Sequence, residues 1–204
     1  METESLRGVT SGMDILRRLT ARALLILLPL MLVSTQAAAA RRAPIAAQNG
    51  HPHACATASP TAPREREILA MLLDLTNRER AHHGLAPVRL QANLSEAARW
   101  MALDMAAYGY VSHTDHRGRS IDPRLPAFGY GDYSSIGENI GAGQQTAEDV
   151  FTGWMHSPEH RRNILNPEFR EIGIAHVFCK FSSYGHYWIQ DFGVRTSDES
   201  QVAL

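Results

Sequence analysis

Three short segments carry the residue types that chemistry requires. Ser112-His113-Thr114-Asp115 sets an imidazole among hydroxyls and a carboxylate. Gly137-Glu138-Asn139-Ile140-Gly141 places one acid in what reads as a glycine-rich loop. Trp154-Met155-His156-Ser157-Pro158-Glu159-His160-Arg161-Arg162-Asn163-Ile164-Leu165 adds two histidines and an acid. Imidazole and carboxylate are the groups that ligate divalent metals and move protons near neutral pH. Alone, each segment is a weak signal: a loop histidine is ordinarily a hydrogen-bonded surface residue, and Gly-Glu-Asn is ordinarily a turn.

His156-Ser157-Pro158-Glu159-His160 also spells H-x-x-E-H. On one continuous helix that spacing presents two zinc-binding histidines and a glutamate base. Pro158 opposes this. In a helix interior proline costs about 3 kcal/mol, and it turns Ser157 away from helical dihedrals. Ser-Pro-Glu is better explained as a fresh helix start, with Ser157 as N-cap, Pro158 at the first helical position and Glu159 in the first turn. His156 then ends the preceding helix. Nucleophilic catalysis has little support: Ser112 beside His113 and Ser157 near His160 are candidate pairs, but no Gly-x-Ser-x-Gly elbow exists. His116 reads as solvated. His82-His83, just ahead of Gly84, read as partners of a helix C-terminus.

The elements that position these residues follow from periodicity. Arg64 to His83 is helical, with Ile68, Met71, Leu72 and Leu75 at the 3.6-residue period and Gly84 at the C-terminal cap. Leu85 to Val88 is an extended link. Leu94 to Tyr108 is a second helix, capped by Asn93 or Ser95, whose alanines allow close packing. Ile121 to Phe128 is a short third helix interrupted by Pro123 and Pro126. Thr146 to Met155 is a fourth, with Thr146 and Asp149 at capping-box spacing. Glu171–Phe178 and His186–Val194 alternate as strands, joined by a hairpin turn over Ser182 to Gly185. Helices followed by an antiparallel hairpin predict an α+β layered domain.

Composition narrows the functional classes. The chain has 204 residues, 44% of them hydrophobic and 20% charged, with a formal charge of −1, two cysteines and ten histidines. That describes one globular domain with appendages. The charge argues against a nucleic-acid partner, and two cysteines exclude a disulfide scaffold or cysteine-rich zinc module. Ala23 to Val33 is an uncharged apolar run preceded by Arg17, Arg18 and Arg22 and followed by Ala37 to Ala40. Such an order reads as a secretory signal peptide over residues 1–40. The run is shorter than the roughly 20 residues a relaxed transmembrane helix needs, so no stable membrane span remains after cleavage; retention as an anchor is the alternative. Residues 41–63, rich in Ala, Pro and Thr, read as a flexible linker, residues 64–195 as the domain and 196–204 as a tail. Cys55 and Cys179 are either bridged, as a secreted protein allows, or two free thiols. Trp100, Trp154 and Trp188 read as core or cleft wall. Arg161 and Arg162 read as a solvated face, with Arg161 able to steer an anion. Asn163 reads as bonding local backbone.

Taken in order, the segments are specific. His-Thr, Gly-Glu-Asn-Ile, Trp-x-x-Ser-Pro-x-His-Arg-x-Asn-Ile-Leu, then Gly-Ile and Tyr-Trp-x-Gln-Asp-Phe-Gly resemble the bacterial branch of the CAP superfamily, the SCP domain. Leu73, Asn77 and Arg80 fit its opening pattern. The resemblance covers about Ile68 to Gly193 and implies an α-β-α sandwich. It also implies a cleft lined by two histidines and acids that in some members holds a divalent cation. Residue by residue, His113 and His160 match the cleft histidines and Glu138 the Gly-Glu-Asn acid. Ser157 stands where eukaryotic members carry a second acid, and their disulfide framework is absent.

The chemistry of such a cleft has two forms. Two imidazoles and a carboxylate can make a His₂Glu site with an open position, which binds metal only while the histidines are neutral and so weakens below about pH 6.5. Alternatively Glu138 only orients a histidine and fixes its tautomer. The resemblance favours the second and implies weak, exchangeable occupancy by a cation such as zinc at His113 and His160. The functional expectation is a secreted, monomeric, non-catalytic binding module, extracellular or periplasmic. Its cleft of His113, Glu138, Ser157 and His160 would take a small ligand, lipid or cell-wall component. The alternative is a metal-assisted hydrolase or peptidase with Glu138 as base.

Overall fold

The computed structural model describes residues 62–196. The signal segment, Cys55 and almost all of the expected linker and tail lie outside them. Helix α1 (Pro63–His82) and helix α2 (Ala92–Tyr108) flank a two-residue strand β1 (Arg89–Leu90). Helix α3 (Ile121–Arg124) runs into a 3₁₀ turn at Leu125–Phe128. Strand β2 (Tyr133–Ala142), helices α4 (Ala147–His156) and α5 (Pro158–Ile164), and strands β3 (Glu171–Phe178) and β4 (His186–Arg195) complete the order.

The sheet runs β1-β3-β4-β2, with β4 antiparallel to both neighbours and β1 parallel to β3. It is therefore mixed, where the sequence predicted antiparallel pairing, and the α+β sandwich holds. Alternation along the strands sorts the core into two layers. Ile140, Ala175, Val177, Tyr187 and Ile189 pack with Ala98, Met101, Ala102 and Met105 of α2. Ile172, Ile174, Trp188 and Phe192 pack with Leu72 of α1, Val150 and Trp154 of α4, and Ile164 of α5.

The largest departure from the sequence reading is β2. Gly137 and Gly141 suggested a loop, yet Ser135 to Ala142 pairs residue for residue with β4. The glycines are there for contact. A Cβ on Gly141 would come within 2.4 Å of Val150, and one on Gly137 within 3.0 Å of Phe169. Tertiary approach, not turn geometry, thus selects glycine in this strand. Smaller differences concern caps. Helix α2 starts two residues early because the Gln91 side chain accepts from Asn93 N, in place of Asn93 or Ser95 capping. Thr146 accepts from Asp149 N as its spacing predicted. Ser157 occupies the N-cap position of α5 but makes no side-chain cap bond.

The Leu73-Asn77-Arg80 pattern is a clamp. Asn77 pairs with both backbone groups of Val88, which ties the extended link to α1. Arg80, fully buried, donates to the carbonyls of Ala86, Ile164, Asn166 and Phe169. Those carbonyls lie on separate stretches of chain, and a five-donor planar guanidinium can reach all of them.

Helix α2 reaches the sheet through Gly173. A Cβ there would lie 2.2 Å from the Leu94 carbonyl carbon and 2.4 Å from Ser95 N. Backbone cannot yield as a side-chain tip can, so Gly173→Ala is expected to cost about 3 kcal/mol or more. Urea unfolding monitored by tryptophan fluorescence checks this; a loss below about 1 kcal/mol would mean the helix shifts freely on the sheet.

Candidate functional site

Strand β2 lies at an edge of the sheet, so alternate carbonyls along it find no strand partner. The α4–α5 segment meets that need. Trp154 Nε1 donates to Ile140 O at 2.9 Å, and Asn163 Nδ2 donates to Glu138 O at 3.1 Å. Asn163 therefore bonds across the fold and not to local backbone as expected. Its amide also reaches Asn139 Oδ1 at 2.9 Å. Asn139 in turn donates to His160 O at 3.2 Å and to Gln190 Oε1 at 3.3 Å, and Gln190 donates to Thr76 Oγ1 at 2.8 Å. This chain of amides links α5, β2, β4 and α1 and places His160 beside the open edge.

On the same strand Glu138 points into a buried charge cluster. One oxygen accepts from Arg124 Nη2, and the other accepts from His113 Nδ1 at 2.8 Å. The Arg124 and Glu138 side chains are 0% and 2% exposed, whereas that of His113 is 59% exposed. The imidazole is thus anchored at one nitrogen and open on its other side. Its hydrogen bond to Glu138 raises the His113 pKa, against the opposing effect of burial. His160 moves the other way, lowered first by burial and then by the charge of His113. The two imidazoles are thus shifted in opposite directions, His113 upward and His160 downward.

The sequence reading missed two members of this cluster. Arg124 sits in the short helix that precedes β2, and nothing in Ile-Asp-Pro-Arg signals a buried guanidinium. Asp191 is the cross-strand partner of Glu138 in the β2–β4 register and is fully buried. Its only visible signal was its place in the Gln-Asp-Phe-Gly run. Neither Asp191 oxygen faces a hydrogen-bond donor; its neighbour is the Glu138 carboxyl. Two carboxyls can bond only when one is protonated. Glu138 is already committed to Arg124 and His113, so Asp191 carries the proton. Burial and the Glu138 charge hold its pKa well above the ordinary carboxyl range.

The other sequence-predicted residues fall as follows. Ser157 Oγ contacts Glu159 Oε2 at 3.4 Å and not a histidine. The H-x-x-E-H run is broken: His156 ends α4, Ser157 is extended at φ −95° and ψ 121°, and α5 begins at Pro158. His116 is an exposed residue, as expected, yet its ring is held in place. Its ring donates to the buried carboxylate of Asp104 and stacks on Tyr108 at 4.2 Å. His83 Nδ1 donates to Glu79 O at 3.0 Å, the helix-end role expected of it. Arg161 Nη2 reaches His83 Nε2 at 3.1 Å. Trp100, Trp154 and Trp188 are each at most 2% exposed and offer no stacking face. Cys179 is disulfide-bonded.

Among the described residues, no group of three His, Cys, Asp or Glu side chains is arranged to hold a metal. Both Glu138 oxygens are occupied, so the three-ligand His₂Glu form is not built. The orienting form is: a carboxylate fixes the tautomer of His113 and leaves Nε2 as the available ligand atom.

With this geometry in view, the cysteine-rich secretory protein (CAP) family model matches residues 73–192. The chain belongs to the CAP family. Its relatives include the protein YkwD of Bacillus subtilis (strain 168), named as uncharacterized and 39% identical over 121 residues, or 59% of this chain and 45% of YkwD. The uncharacterized membrane protein YlbC of the same organism is 33% identical over 51% of this chain and 30% of its own length. The chain thus spans less than half of either relative. Among solved structures, an extracellular SCP-domain protein of Bacillus anthracis str. Ames is 26% identical, with a TM-score of 0.57 over 68% of this chain and 45% of that one. An outer surface protein of Borrelia burgdorferi has a TM-score of 0.59 at 17% identity, over 70% of this chain and 99% of its own, and shares the fold. The CAP match takes in His113, Glu138, His160 and Asp191, and stops short of Gly193.

Two outcomes follow from the buried cluster. Glu138→Gln leaves Arg124 without its counter-charge and is expected to destabilise by about 3–5 kcal/mol. Asp191 behaves differently. Its pKa is raised in the fold, so its contribution is complete below the unfolded carboxyl pKa and declines as pH rises toward the folded value, by about 1.4 kcal/mol per unit. Asp191→Asn removes that decline. Thermal melts of wild type and variant from pH 4 upward should converge in acid and separate in favour of the variant as pH rises. Parallel profiles would show that Asp191 is ionised in the fold.

Proposed function

We propose that this CAP domain is a non-catalytic binding module working outside the cytoplasm. Its cleft, formed by His113, Glu138, Ser157 and His160, takes a small polar ligand, a lipid head group or a cell-wall fragment. The observation that carries this is the commitment of Glu138. A general base for hydrolysis needs a free carboxylate within reach of water. Here both oxygens are engaged by Arg124 and His113, and the carboxylate is 2% exposed. What the cleft would offer instead is a pair of imidazoles, one oriented by Glu138 and one lowered in pKa by burial, suited to an oxygen-rich ligand. The extracytoplasmic setting is supported by the signal-like residues 1–40 and by a structural relative described as extracellular. Among the described residues, no helix is long and apolar enough to cross a membrane.

A divalent cation such as zinc fits this donor set weakly. His113 Nε2, oriented through Glu138, and the neutral imidazole of His160 would hold it, with water or ligand oxygens in the remaining positions. The ion would supply a positive charge at which a ligand oxygen is fixed. Calorimetric titration with Zn²⁺ tests the reading: the His113→Ala/His160→Ala double variant should bind one ion fewer per chain than wild type. Equal stoichiometry would remove the metal from this cleft. Chelator-sensitive turnover of a peptide or glycan, abolished in a folded Glu138→Gln protein, would replace binding by hydrolysis.

A further inference from the structure

Two other histidines, His176 on β3 and His186 at the start of β4, form a separate polar cluster. Glu65, in the first turn of α1, accepts from His176 Nδ1 through both oxygens, at 3.1 and 3.3 Å. That bond fixes the proton on Nδ1, so His176 Nε2 carries a lone pair. Facing it at 2.9 Å is His186 Nδ1, which must supply the hydrogen. The chain Glu65–His176–His186 thus has one consistent proton arrangement. It is also stiff: His176 stacks on Trp188 at 4.0 Å between ring centroids and on His186 at 5.2 Å. Glu65 and His176 are buried, while His186 is half-buried and opens onto a cavity of about 380 Å³. Ile68 and Phe178 supply apolar walls to this cavity, and Arg64 and Gln145 add polar groups. His186 lies five residues along β4 from Asp191, about 16 Å at a strand's rise, so this is not the His113–His160 cleft.

We propose that His176 Nε2 and His186 Nδ1 are the two protein ligands of a divalent transition-metal site, with Glu65 behind His176 and the cavity admitting the remaining ligands. Three features argue for it. A ligating histidine characteristically gives its other N–H to a carboxylate, which fixes tautomer and ring orientation and raises basicity; Glu65 does this for His176. Two ring nitrogens already converge on one point, and a separation slightly wider than 2.9 Å accommodates bonds of about 2.0–2.1 Å to a single ion. Ion entry moves the His186 proton from Nδ1 to Nε2, so both imidazoles remain neutral and no net proton is lost. The charges of Arg64 and Glu65 offset one another at the cavity. With two protein ligands and imidazole donors, the site suits Zn²⁺ or Cu²⁺ over Mg²⁺ or Ca²⁺.

Zn²⁺ calorimetry in the His113→Ala/His160→Ala background isolates this site from the proposed cleft site. One ion per chain should bind. Adding His186→Ala should abolish that binding, and Glu65→Gln, which preserves shape but not charge, should weaken it about tenfold or more. Circular dichroism melts confirm that each variant is folded. Absence of saturable binding in the background protein, or unchanged affinity after either substitution in a folded variant, would overturn the proposal.

Discussion

The open edge of β2 is the constraint on which the site depends. A strand at the end of a sheet exposes alternate carbonyls, and those groups are costly to bury unmet. Trp154 from α4 and Asn163 from α5 satisfy Ile140 O and Glu138 O. Once both bonds form, α4 and α5 are seated against the strand, and His160, between Trp154 and Asn163 in sequence, is carried to the same edge. The Trp-to-Asn run that carried the family resemblance is also a device for closing a sheet edge. Between the two donors the helix is interrupted at Ser157, extended at φ −95° and ψ 121°, where Pro158 opens α5.

Behind the edge lies a charge balance. Arg124, Glu138 and Asp191 are sequestered together, one cation with two acids. Two ionised carboxylates sharing one guanidinium would leave a net negative charge in a low-dielectric site, which is less favourable than protonating one of them. Asp191, fully buried and facing no donor, is the acid that yields. Glu138 directs its two oxygens to Arg124 and His113. This is why His113 is positioned at one nitrogen although its side chain is 59% exposed. The same arrangement leaves the Glu138 carboxylate buried and bonded through both oxygens.

Family membership fixes the architecture and leaves the ligand to the site. CAP relatives share the α-β-α layers at sequence identities where side chains diverge widely. The chain matches less than half the length of the Bacillus subtilis relatives. In this chain the Ser157 hydroxyl contacts Glu159 and no histidine. His116 shows how a loop histidine becomes structural: Asp104 of α2 is buried, and the His116 ring joins the His116 N–H and the Tyr110 hydroxyl as its donors.

Much of the fold was legible from residues alone. Helices α1, α2, α4 and α5 and the β3–β4 hairpin announce themselves by local periodicity and by Pro158, Thr146 and Gly84, because caps and turns are decided within a few residues. His113, Glu138 and His160 were visible as ordered motifs. Tertiary structure alone decided the rest. Strand β2 looks like a loop until β4 pairs with it and Val150 and Phe169 press on its glycines. Arg124, Asp191 and the Glu65–His176–His186 chain are isolated polar residues in the sequence, and only folding brings their partners close. Burial and protonation are properties of neighbours distant along the chain. The sequence therefore determined which elements form, and the packing of those elements decided which polar groups meet and which of them hold a proton.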